Sequence, residues 1–205
     1  FGFRFSLMMG FAVIGLAAPP GIIAGLVAGY FRDTPIDTVI MRVTDVFLSV
    51  PPLILAMAIT AVLPPNVFYA MIAVTLMWWP WYARLVYGIA SLLQNEFFVQ
   101  AAQVTGAGTA HILFREILPN CVSAIFTKMT LDLGFVIIIA SSLSFVGLGA
   151  QPPTPDLGTM VADGAKYMPD QWWITVFPAL AIVLIVLGFN LLGDGLRDML
   201  AVEEV

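Results

Sequence analysis

Of the 205 residues, 60% are hydrophobic and only 10% are charged, with a formal net charge of −5. A soluble domain of this length needs more charged surface, so lipid must cover much of the exterior. The negative balance argues against a nucleic-acid partner, and the single cysteine, Cys121, excludes an internal disulfide framework.

A helix needs ~20 apolar residues to cross a hydrocarbon core of ~30 Å. Five segments reach that length: about Phe5 to Phe31, Val43 to Leu63, Phe68 to Tyr87, Cys121 to Leu148 and Trp172 to Leu192. Backbone amides in lipid must be satisfied within their own segment, and the alternation of a membrane barrel is missing, so all five are expected to be helices. The expectation is an all-α polytopic membrane protein forming one transmembrane domain over residues 1–205. Pro19-Pro20, Pro51-Pro52, Pro80 and Pro178 are expected to curve their spans. Gly15, Gly21, Gly25 and Gly29 recur at helical spacing in the first span and predict a close-packing face. Trp172-Trp173 read as an interfacial belt, and Trp78, Trp79 and Trp81 as packing residues.

Basic residues orient the spans. Arg32, Arg42, Arg84, Arg115, Lys128 and Arg197 fall on one side if the spans alternate, against Arg4 and Lys166 on the other. The loop after the first span, the loop of about 91–120 and the C-terminus are therefore expected in the cytoplasm. The external loop is expected at about 149–171. This puts Phe1 outside. With no cleavable signal peptide in view, a sixth helix upstream is the simplest repair.

The 91–120 loop is too long for a plain helix connection. Glu96 to Val104 has helical composition, and Gly106 and Gly108 permit a sharp turn. Thr109 can cap a second short helix, Ala110 to Glu116, which Pro119-Asn120 would end. Ile112, Leu113 and Ile117 give that helix an apolar face. The loop is expected to fold as a compact foot of two short helices.

The pattern Gln100-Ala101-Ala102, Gly106 and Ile117-Leu118-Pro119 resembles the EAA loop of bacterial ABC importer permeases. The flanks are similar to the dipeptide/oligopeptide/nickel branch: Gly29-Tyr30-Phe31, Trp79-Pro80, Leu143-Ser144-Phe145, Gln151-Pro152-Pro153-Thr154-Pro155 and Phe189-Asn190-Leu191-Leu192-Gly193-Asp194. The late motifs resemble the second, C-type permease subunit.

The resemblance implies a MetI-like ABC permease fold and a subunit that imports peptides or related small solutes, nickel included. The chain would not be an enzyme and would carry no cofactor. ATP and Mg would belong to separate cytoplasmic ATPase subunits. A second permease, forming a heterodimer, and an extracytoplasmic solute-binding protein are the other implied partners, in a bacterial or archaeal inner membrane. The implied ATPase-coupling residues are Gln100, Ala101, Ala102, Gly106, His111, Arg115, Glu116, Leu118 and Pro119. The chain departs from the pattern at Gln100, where the family usually has Glu, and at Asp156-Leu157, where Ser-Trp is common.

Residue chemistry adds its own readings. No G-x-x-x-x-G-K-[ST] stretch occurs, so the chain itself cannot cradle ATP. Lys128 and Asp132 stand i,i+4 inside a span, where they form either a structural pair or a solute contact. Asp132, Ser141, Ser142 and Ser144 are candidate pathway-lining residues; the serines could equally bond between helices. His111 lacks companions at metal-ligand spacing, and no catalytic triad is present. Asp156, Asp163 and Asp170 predict a mildly acidic outer surface. The competing reading is a secondary transporter driven by an ion gradient, with Asp132 as its ion-linked carboxylate.

Overall fold

The computed structural model describes residues 2–151 and 153–201, and among these every regular element is helical. Phe1 and Pro152, the latter in the Gln151-to-Pro155 motif, lie outside the described residues. Helix α1 (Gly2–Tyr30) runs unbroken through Pro19 and Pro20. It packs most extensively along α4 (Val67–Leu93). The reason is legible at the glycines. A methyl carbon at Gly25 would stand 2.5 Å from the Ala83 carbonyl oxygen, and one at Gly29 2.6 Å from Ala90 Cβ. Only a bare backbone lets the helices approach this closely. Gly15 meets nothing within 4 Å, so it is not part of this face, contrary to the spacing argument.

The segment expected as one span over 43–63 is two helices. Helix α2 (Pro35–Leu48) and α3 (Pro52–Ala61) meet at 84°. Pro51 holds an extended backbone at the junction, with φ −54° and ψ 132°. The ring of Pro52 excludes the α conformation from the residue before it, which breaks the ladder. The other expected proline bends do not interrupt their helices: Pro80 lies within α4 and Pro178 within α9 (Trp173–Ala201).

Three helical runs are long and apolar enough to cross a membrane: Gly2–Tyr30, Thr109–Phe145 and Trp173–Leu200. The bent α2–α3 pair would be a fourth if taken as one span. Helix α4, at 27 residues, covers the span expected over Phe68 to Tyr87 and has the length, but with Arg84 inside it is not among these three. The main core joins α1, α3, α4 and α7 (Leu118–Phe145) through Val13, Ala17, Ala56, Val74, Tyr82 and Val136.

A short helix not expected from the sequence, α8 (Leu157–Ala165), lies within the 149–171 loop. Asp156 caps it, accepting from the Gly158 and Thr159 amides at 3.0 and 3.3 Å. Its other oxygen accepts from Ser6 Oγ at 3.0 Å. Asp156 is therefore buried and takes no part in an acidic surface, whereas Asp163 and Asp170 are exposed. These contacts tie α8 to the start of α1 and the end of α7, opposite the end occupied by the foot.

Candidate functional site

The foot begins with α5 (Phe97–Val104), whose N-cap is Glu96. It ends in a Schellman turn: Gly106 N–H donates to the Gln103 carbonyl and Ala107 N–H to the Ala102 carbonyl, both at 3.0 Å. Gly106 has φ +83°, a left-handed conformation that a side chain would strain. The chain then enters α6 (Thr109–His111) and a π-helical turn, Ile112–Ile117, that runs directly into α7. Gly108, not Thr109, occupies the N-cap position. The expected stop at Pro119-Asn120 does not occur; helix continues from Thr109 to Phe145. Pro119 offers no amide to the carbonyl one turn back, and its ring crowds that group. A wider π turn just before it relieves the conflict. The second half of the foot, from Thr109, is thus an extension of a long membrane helix, and α5 joins it through the Gly106 turn.

Inside the foot, Val99, Ile112, Leu113, Ile117 and Cys121 are buried against Leu26 of α1 and Val86 and Ala90 of α4. Ala102 and Leu118 pack partly buried on the same cluster. Gln103 Nε2 donates to the Tyr30 hydroxyl at 3.2 Å, tying α5 to the end of α1. Gln100 is exposed, and its Nε2 donates to the Asn95 carbonyl at 2.8 Å. Ala101, Gly106, His111, Arg115 and Pro119 are exposed. His111 Nε2 stands 3.5 Å from the half-buried Glu116 carboxylate. A polar cleft of about 620 Å³ opens between Tyr30, Phe31, Asn95, Gln100 and Gln103.

The outward face of α5 holds residues the sequence reading passed over. Phe97 is 85% exposed and Val104 89%, with Ala101 between them at helical spacing. Phe114 adds an exposed ring from the π turn. Apolar side chains held in this way on a rigid helical end form a ridge suited to an apolar groove on another protein. Their signal was present as a second apolar stripe, Phe97-Ala101-Val104, opposite Val99 and Ala102.

The pathway candidates do not form one cluster. Asp132 is 1% exposed; its Oδ1 accepts from Lys128 Nζ at 2.6 Å. Ser141 is buried, its Oγ without a hydrogen-bond partner among the described residues, and it borders an apolar cleft of about 420 Å³ with Leu53, Ile138, Ser142 and Ile182. Ser142 Oγ donates to the Ile138 carbonyl at 2.8 Å. Ser144 Oγ accepts from the Ala150 amide at 3.2 Å, bracing the turn after α7. At that opposite end, Lys166 donates to Asp163 at 2.7 Å, and this hydrogen bond holds the exposed ammonium above its ordinary pKa. Among the described residues no group of three or more His, Cys, Asp or Glu is arranged to hold a metal ion.

Comparison with known proteins places this architecture. Residues 21–202 match the family model described as binding-protein-dependent transport system inner membrane component. The chain is 41% identical over 199 residues to the probable D,D-dipeptide transport system permease protein DdpC of Escherichia coli K12, covering 97% of this chain and 66% of that protein. It is also 41% identical to the di/tripeptide transport system permease protein DppC of Pseudomonas aeruginosa UCBPP-PA14, covering 97% and 65%. The chain thus spans just under two thirds of the length of these relatives. A chain of the MetNI methionine ABC transporter in an inward-facing conformation shares the fold, with TM-score 0.78 and 18% identity over 97% of this chain and 94% of that one. With the family model matched over residues 21–202, the chain belongs to the binding-protein-dependent transport system inner membrane component family.

Proposed function

We propose that this chain is a transmembrane permease subunit of an ATP-driven importer of peptides or related small solutes. The observation that carries the reading is the foot: an exposed apolar ridge, Phe97 and Val104 of α5, whose buried side packs through Val99 on the Ile112–Ile117 start of the helix that becomes α7. A push on such a ridge moves a membrane helix as a lever. The ridge docks on a cytoplasmic ATPase subunit, which binds ATP and Mg, and Gln100, His111, Arg115 and Glu116 surround it as polar contacts. The foot end and the C-terminus face the cytoplasm, in accord with Arg32 and Arg115 beside the foot. A second permease completes the pathway, and a solute-binding protein delivers the cargo at the α8 end. Peptide cargo follows from the dipeptide and di/tripeptide transport named for the relatives. Asp132, closed to solvent and neutralised by Lys128, is not arranged as a freely exchanging ion carrier.

The test is uptake of a dipeptide into proteoliposomes holding the assembled importer. Uptake should require ATP and the ATPase subunits. Uptake that persists without ATPase subunits, driven by a proton or sodium gradient, would overturn the reading.

A further inference from the structure

Lys128 lies roughly 15 Å along α7 from its start at ~1.5 Å per residue, deep within a membrane helix. Its partner Asp132 is only 1% exposed, yet the Lys128 side chain is 31% exposed. Anything approaching this pair therefore meets the ammonium and not the carboxylate. An ammonium has three donors. One is taken by Asp132 Oδ1, and the Nζ stands 5.6 Å from the centre of the Trp81 ring. The remaining donor capacity faces the open side. Hydrocarbon cannot solvate a charge at this depth, so water or protein must cover that side. Trp81, 40% exposed, supplies a flat apolar wall beside the charge. The open side thus presents a cation fixed by a buried carboxylate on the same helix.

We propose that Lys128, anchored by Asp132 and flanked by Trp81, binds the carboxylate group of the solute as it crosses the membrane. This rests on the permease reading above. Asp132 Oδ2 and the adjacent Tyr82 hydroxyl are both buried without hydrogen-bond partners among the described residues. Tyr82 is the donor able to hold Asp132 while Lys128 turns to the solute. The site recognises a carboxylate beside an apolar side chain, which is the C-terminal end of a short peptide.

The experiment uses the assembled importer in proteoliposomes, with a dipeptide and its C-terminal amide, each at a concentration saturating for the unaltered protein. The variants are Lys128→Arg, Lys128→Gln and the double variant Lys128→Gln with Asp132→Asn. The double variant removes both charges together, leaving no lone buried carboxylate, and so separates recognition from folding. We expect the unaltered importer to take up the free acid at least tenfold faster than the amide. The double variant should assemble with its ATPase subunits and take up the acid at the slow amide rate. Lys128→Arg should retain at least half of the acid uptake. Acid uptake restored in the double variant would mean that the pair is only structural, and an equal loss for acid and amide would mean that no carboxylate is read; either overturns the proposal. Uptake by the unaltered protein that needs no ATPase would instead sink the permease reading, whatever the variants do.

Discussion

Gly25 and Gly15 belong to the same helix and the same sequence pattern, yet their surroundings differ completely. Gly25 lies against the backbone of α4, while Gly15 faces open space. Gly25→Ala should cost ~1–3 kcal/mol by overpacking the α1–α4 seam. Gly15→Ala should be neutral or gain up to ~1 kcal/mol in helix propensity. Thermal unfolding of the detergent-solubilised chain checks this; equal midpoint shifts would contradict it. Gly106 presents a third case, because its surroundings are open but its φ is +83°. Gly106→Ala should cost ~1–2 kcal/mol locally, a roughly five- to thirty-fold rise in amide exchange confined to the foot. An unchanged exchange pattern would show that the left-handed turn is not required. Truncation at Lys128 is a different matter. Lys128→Ala leaves Asp132 buried and alone, and should cost ~3–5 kcal/mol in the same unfolding assay.

The elements show why some of the architecture was readable from the amino acids and some was not. Helix α5 and the turn after it were legible because Gly at the left-handed position leaves a local signature, and the apolar set Ile112, Leu113 and Ile117 correctly gave the buried face. The break at Pro51-Pro52 was not, since hydropathy stays high across it and says nothing of direction. Pro119 misled for the opposite reason: proline commonly ends helices, but here a π turn absorbs it and the helix goes on. Asp156 read as surface charge because its cap partners are amides that any sequence supplies. Phe97 and Val104 were overlooked because apolar residues at helical spacing ordinarily mean core. The π turn makes a further prediction. Pro119→Ala permits regular α geometry, which removes one residue of register and would rotate the foot by ~100° about α7. Spin labels at Val104 and Val122 should report a changed distance, with uptake reduced several-fold and insertion intact. An unchanged distance would show that packing, and not Pro119, maintains the turn.

At the scale of the whole molecule, two ends are held together by few rigid parts. Helix α1 carries Ser6 at the α8 end and Tyr30 at the foot, so one element bonds to both. Helix α9 leaves Phe177, Leu184, Leu187 and Leu191 exposed and buries little beyond Ile185, an apolar surface suited to lipid. The central claim is that the ridge on α5 is the seat of an ATP-hydrolysing partner. Val104→Cys places a thiol at its most exposed point, and the native Cys121 is buried and silent. Short-span crosslinking in membranes containing the full importer tests the claim directly. We expect Val104→Cys to form a crosslink to the ATPase subunit that changes in yield when ATP is added, and a cysteine at exposed Lys166 to form none. A Val104 thiol that links to no ATPase, or that reacts only with reagents confined to the outside of the cell, would contradict it.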